Sequence, residues 1–177
     1  LPTHLPVAFP AREIGEFGLQ VVGTQESVGE VVLIKTVAMI ATEWGMSVKR
    51  VRLNALGDKD SQQRFLRELF LHTRKHAGRI DPLCRDATMK DPLMLYRCGK
   101  EVCREVALEA PRSVHFLSEK SRIHFRSVIE HIEHLGLPYE LDDMLVGDER
   151  GPHLAFALDF KGEDATLVGA MGGRFDE

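Results

Sequence analysis

The sequence predicts an α+β protein with an antiparallel sheet and a helical insertion. Three observations predict it. Apolar residues alternate over Val48 to Leu56, the period of a half-buried strand, and the strand period returns after Pro138. Between these stretches, from Asp60 to Gly136, apolar residues recur at three- and four-residue steps, as on helices. A strand–helix–strand start, a helical block and a closing set of strands make one layered α+β arrangement.

The elements follow in order. Leu1 to Pro10 carries three prolines and reads as an extended arm or loop. Ile14 to Gly23 mixes apolar and polar residues in rough alternation and reads as a strand. Ser27 and Glu30 have capping-box spacing, and Leu33, Val37, Ile40, Ala41 and Trp44 then mark one helix, Val28 to Trp44, closed by Gly45. Trp44 is expected in the core. Over Val48 to Leu56, Val51, Leu53 and Ala55 share one face, with Arg50, Arg52 and Asn54 on the other. Ser61 to His76 places Phe65, Leu66, Leu69, Phe70 and Thr73 on one stripe, with Asp58 or Asp60 as cap. Gly78 to Pro111 is helix-leaning but irregular. Ser118 opens a further helix whose Ile123, Phe125, Val128, Ile129, Ile132 and Leu135 point inward, ending at Gly136. Tyr139 to Val146, His153 to Phe160 and Ala165 to Ala170 are strand candidates, with Gly162-Glu163-Asp164 a plausible hairpin turn.

Composition narrows the function classes. At 177 residues, 44% hydrophobic and 28% charged, the chain can bury a core without disulfides. A net charge of -4 excludes a bulk basic nucleic-acid binder, so any RNA contact is local. No apolar run is long enough for a membrane span, and no signal peptide is visible, so a cytoplasmic location is expected. A chain beginning at Leu1 reads as a processed product or a piece. Cys84, Cys98 and Cys103 form no CxxC pair, and the last two fall off a common helical face. They are expected to be small reduced thiols, with no structural metal. His124, His131 and His134 share a helical face, which reads as a solvated polar face rather than a zinc site.

Four stretches, in order, resemble histidyl-tRNA synthetase. Arg12 to Gly23 (REIGEFGLQVVG) resembles the second strand of that family's motif 2. Arg52 to Phe65 (RLNALGDKDSQQRF) is similar to the strand that leads into its insertion domain. Ala110 to Phe125 (APRSVHFLSEKSRIHF) looks like a further family segment, with an alanine-proline start and a histidine-phenylalanine end. Leu167 to Asp176 (LVGAMGGRFD) resembles the second histidine-recognition motif, Ala-Gly-Gly-Arg-Tyr-Asp. The resemblance implies a class II catalytic core, incomplete here, in three parts: 1–59, a helical insertion 60–137, and 138–177 with a Gly-Gly-Arg turn. It implies ATP with magnesium as substrate, histidine and tRNA as partners, tRNA contact through the insertion, and a homodimer in the full-length protein.

The same resemblance places the site. Glu16 and Gln20 stand where the family has Gln and Glu; four residues apart on a strand, they share a face, and Glu16 would hold an ammonium group. Gly172 and Gly173 would wall the pocket, through close backbone approach or unusual dihedrals. Arg174 would pair with Asp176, and Phe175 replaces the family's tyrosine. The largest departure is Leu145 to Phe160. Gly147 follows Leu145-Val146 where the family has the arginine that faces the α-phosphate, and two tyrosines are gone. Arg150 is the candidate substitute in catalysis. The expectation is therefore part of a histidine–tRNA ligase catalytic domain, inactive as this isolated chain. The alternative is a degenerate paralogue that binds histidine as an ATP phosphoribosyltransferase regulatory subunit. Everything rests on the opening strand and closing glycine turn being neighbours in one antiparallel sheet.

Overall fold

The computed structural model describes residues 7–10, 17–147, 152–161 and 166–175. Its elements are β1 Val7–Pro10, β2 Phe17–Gln20, α1 Val28–Glu43, β3 Ser47–Ala55, α2 Lys59–Lys75, α3 Pro82–Lys90, α4 Met94–Arg97, α5 Glu101–Leu108, a 3-10 turn Ser113–Phe116, α6 Glu119–His134, β4 Tyr139–Leu141, β5 Leu154–Lys161 and β6 Thr166–Arg174. The fold is α+β, with a four-stranded sheet ordered β4-β3-β5-β6. The turn expected at 162–164 lies outside the described residues.

Three expectations about the strands need correction. First, the sheet is antiparallel across β3–β5 and β5–β6, but β4 runs parallel to β3. Parallel neighbours need a long crossover connection, and the helical block between β3 and β4 supplies it. Second, among the described residues the opening strand does not join this sheet. β2 pairs antiparallel with β1 in a separate ribbon, Val7 opposite Gln20 and Pro10 opposite Phe17. The proline-rich arm contributes β1 because a proline can sit at a strand end, where no ladder hydrogen bond depends on its nitrogen. Third, Gly172, Gly173 and Arg174 are not a turn. They lie in β6, opposite Phe156, Ala155 and Leu154.

Most helices form where their periods and caps place them. Asp58 caps α2 and accepts from the Ser61 amide at 3.0 Å; Ser118 caps α6 and accepts from the Ser121 amide. Gly45 and Gly136, at φ +78° and +67°, end α1 and α6 in the left-handed region that glycine enters without steric cost. The capping box at α1 does not form: Ser27 is already helical, at φ -61° and ψ -16°, and its hydroxyl bonds Ser127 instead. Phe70 and Ile123 point outward, whereas Phe65, Leu69, Phe125, Val128 and Ile132 are buried.

Packing divides into two clusters. In the first, one sheet face (Val51, Leu53, Leu154, Phe156, Leu158) meets Ile34 and Ala38 of α1 and Phe125, Val128 and Ile132 of α6. The second holds Phe65 and Leu69 of α2, Leu95 and Tyr96 of α4, and Cys103 and Val106 of α5, with Leu56 and Val146 beneath. So α6 packs with the sheet, not with the helices that precede it. The two ends of the helical excursion are joined by one polar knot. Asp58 accepts from the Ser61 and Ser118 hydroxyls at 2.7 and 2.6 Å, and the Asp58 amide donates to Ser121 Oγ at 3.1 Å. These bonds hold the Asp58 carboxyl well below the usual carboxylate range.

Candidate functional site

Helix α1 is apolar on more than one side. Val31, Ile34, Ala38 and Ala41 face the core, while Leu33, Val37 and Ile40 look toward the ribbon and β6. Between them opens a cavity of ≈ 740 Å³, walled by α1, by Phe17, Gly18 and Leu19 of β2, and by 169–173 of β6. The rings of Phe156 and Phe160 form its floor. Trp44, expected in the core, is instead 65% exposed and stands at the rim, edge-on to Phe17 with ring centres 5.8 Å apart. It is the last residue of α1's apolar pattern and lies past the helix end, beyond the reach of the sheet.

The glycines of β6 have a packing cause. Neither Gly172 nor Gly173 has a positive φ, so unusual dihedrals are not the reason for them. A Cβ on Gly172 would lie 2.4 Å from Phe156 Cζ, and one on Gly173 would lie 2.8 Å from Pro152 Cβ and from the Leu154 carbonyl oxygen. Gly169 is likewise covered by Phe160. The aromatic side chains of β5 lean across onto bare backbone, a cross-strand pairing that brings β6 close over the cavity floor.

Arg174 is braced by partners that its own segment of sequence does not show. Its guanidinium donates to the Gln25 carbonyl oxygen at 3.0 Å and to Glu30 Oε1 at 3.3 Å. Glu30 Oε1 also accepts from His124 Nε2 at 2.6 Å, and His124 Nε2 lies 3.2 Å from Arg174. Asp176, the expected partner, lies outside the described residues. The Glu30 side chain is 6% exposed, so this is a desolvated ion pair that ties β6, α1 and α6 together. Sequence reading missed Glu30, because Ser27-x-x-Glu30 is also the spacing of a capping box, and missed His124, because it was taken as one of a solvated row. His131 and His134 instead bond backbone carbonyls one turn back on α6.

The remaining candidates separate. Gln20 is exposed at the end of β2, next to the lining residue Leu19 but not itself in the lining. Phe175 is half-exposed after β6. Glu16 and Arg150 lie outside the described residues. Gly147 is held at φ +70°, and a Cβ there would meet Pro152 Cδ at 2.5 Å. The opposite face of the sheet carries a charge ladder. Buried Asp159 accepts from Arg50 Nε at 2.8 Å and Arg52 Nε at 3.2 Å, and the same arginines reach Glu140 and Asp142 on the β4 side. The Asp159 bond raises the Arg50 pKa further above its ordinary value. Asn54, expected on a polar face, is buried: its amide donates to the Asp143 and Leu145 carbonyls and accepts from Ser113 Oγ.

Comparison with known proteins gives this arrangement a context. No protein-family model matches the chain. The histidine–tRNA ligase of Bacillus velezensis is 29% identical over 93% of the chain and 40% of its own length. That of Natranaerobius thermophilus is 30% identical over 97% of the chain and 41% of its own length. The chain is similar to one part of histidine–tRNA ligase. It spans about 40% of the length of these ligases. The crystal structure of apo S. aureus histidyl-tRNA synthetase matches with a TM-score of 0.62 at 23% identity, over 89% of this chain and 37% of that one. The sheet, α1 and the helical segment thus share a histidyl-tRNA synthetase-like fold. Among the described residues no helix is long and apolar enough to cross a membrane.

Proposed function

We propose that this chain is the part of a histidine–tRNA ligase catalytic domain that walls the substrate pocket, and that the full reading frame activates histidine with ATP and magnesium before passing it to tRNA. The observation that carries this reading is similarity to ligases of that name through 93% and 97% of the chain. The cavity lies within the roughly 300–1,000 Å³ range of small-molecule sites. In this reading Gly172 and Gly173 let β6 wall the pocket, and Arg174, fixed by Glu30, sets the position of that strand. Glu16 and Gln20 supply polar groups for the α-amino end, Phe175 packs at the mouth, and Arg150 faces the α-phosphate. The reaction depends on positioning and on preorganised charge, so small displacements of these groups cost rate. Residues 60–137 contact tRNA, the full protein is a cytoplasmic homodimer, and the isolated chain catalyses no activation.

A second reading is favoured by one position. Gly147 stands where the resemblance places an arginine, and its left-handed backbone against Pro152 disfavours any side chain there. That supports a degenerate paralogue that binds histidine as a regulatory subunit. Histidine-dependent ATP–pyrophosphate exchange by the protein expressed from the full reading frame decides. Exchange above background supports the ligase. Histidine binding without exchange supports the regulator and ends the first reading.

A further inference from the structure

Cys84, Cys98 and Cys103 are expected from their spacing to be small reduced thiols with no structural metal, since they form no CxxC pair and the last two leave a common helical face. The three come instead from three separate elements: Cys84 from α3, Cys98 from the residue that ends α4, and Cys103 from α5. Helix–helix packing brings their sulfurs together. All three Sγ atoms lie within 4.8 Å of one another, and Cys84 Sγ is 3.1 Å from Cys98 Sγ. Sulfurs bound to one tetrahedral metal at a Zn–S length of roughly 2.3 Å stand roughly 3.8 Å apart, inside that spread.

The backbone at Lys100 works to lower the Cys98 pKa and that at Asp81 works to lower the Cys103 pKa, although burial leaves Cys103 raised. Burial works against ionisation of Cys98, but the Lys100 amide and the Cys84 thiol outweigh it and lower the Cys98 pKa. Cys84, in hydrogen-bond contact with Cys98 and partly buried, is pushed up to about 11. Lys100 Nζ stands nearby, bonded to Asp81 at 2.6 Å.

We propose that Cys84, Cys98 and Cys103 form a three-sulfur site for a soft divalent metal ion of the zinc class. The fourth position is filled by water or an exogenous ligand. Three sulfurs within 4.8 Å of one another suit a metal better than a disulfide, which would use two and leave the third. Binding releases the thiol protons to solvent, so affinity rises with pH. The metal would clamp α3, the end of α4 and α5, which are short and are also joined by the second core cluster and by the Lys100–Asp81 and Arg97–Asp91 ion pairs. The site is independent of the ligase reading.

Cobalt(II) titration of the reduced 177-residue chain tests it. One cobalt per chain is expected, with thiolate-to-metal charge-transfer absorption and the visible bands of four-coordinate cobalt, both abolished by zinc. Cys84→Ser and Cys98→Ser, confirmed folded by circular dichroism, should each weaken binding by at least about tenfold. On the unsubstituted chain, zinc should slow alkylation of all three cysteines together. Absence of charge-transfer bands, bands unchanged in both variants, or alkylation indifferent to zinc would each overturn the proposal.

Discussion

Glu30 serves two cationic or polar partners with one buried oxygen. Glu30→Ala takes that carboxylate away from the Arg174 guanidinium, which is 12% exposed. The loss of one partner from a buried pair costs about 3 kcal/mol or more, measured as a drop in urea unfolding free energy. A loss under about 0.5 kcal/mol, the scale of a surface substitution, would mean the pair is solvated and does not hold β6. Gly172→Ala forces a methyl group onto Phe156 and is expected to cost about 1–3 kcal/mol, while Met171→Ala, at a site 73% exposed, changes stability little. Equal effects at the two positions would contradict the packing account. At this scale the sequence was only half legible. Asp58, Ser118, Gly45 and Gly136 signal their caps through local spacing. Glu30, Asn54 and the three cysteines take their roles from residues 50 or more positions away or from other elements, and no local spacing encodes that.

At the scale of elements, the helices were legible because their apolar period and their caps agree. The strands were less so. Their positions follow from alternation, but their partners do not: β2 chose the proline-rich arm, and β4 lies parallel to β3 because a long helical excursion returns it to the same end of the sheet. That return depends on the knot of Asp58, Ser61, Ser118 and Ser121. The Asp58 carboxyl titrates lower in the folded chain than the roughly 3.9 of an unfolded aspartate. Its contribution is therefore complete above pH ~4 and is lost as pH falls through the folded value. Asp58→Asn keeps a capping oxygen but removes the charge. It should lower stability at pH 7 by about 1 kcal/mol and flatten the fall in stability below pH ~4, as read from unfolding curves. An unchanged acid limb would show that the knot carries no net charge effect.

At the scale of the whole molecule, the fold class was legible because strand-period and helix-period stretches alternate along the chain in the order the structure shows. The spatial premise, that the opening strand and the closing glycines share one sheet, was not correct as stated. Phe17, Gly18 and Leu19 face Gly169 to Gly173 across a cavity rather than across a hydrogen-bonded ladder. Both segments still wall one space, with α1 between them. It also explains why α1 is apolar on two sides: one stripe closes the core and the other lines the cavity. Hydrogen-exchange mass spectrometry of the protein from the full reading frame, with and without histidine and ATP, tests this most directly. The account predicts joint protection of the peptides that contain Phe17–Gln20 and Gly169–Arg174 when the substrates are added. Substrate-dependent protection that spares both peptides would contradict it.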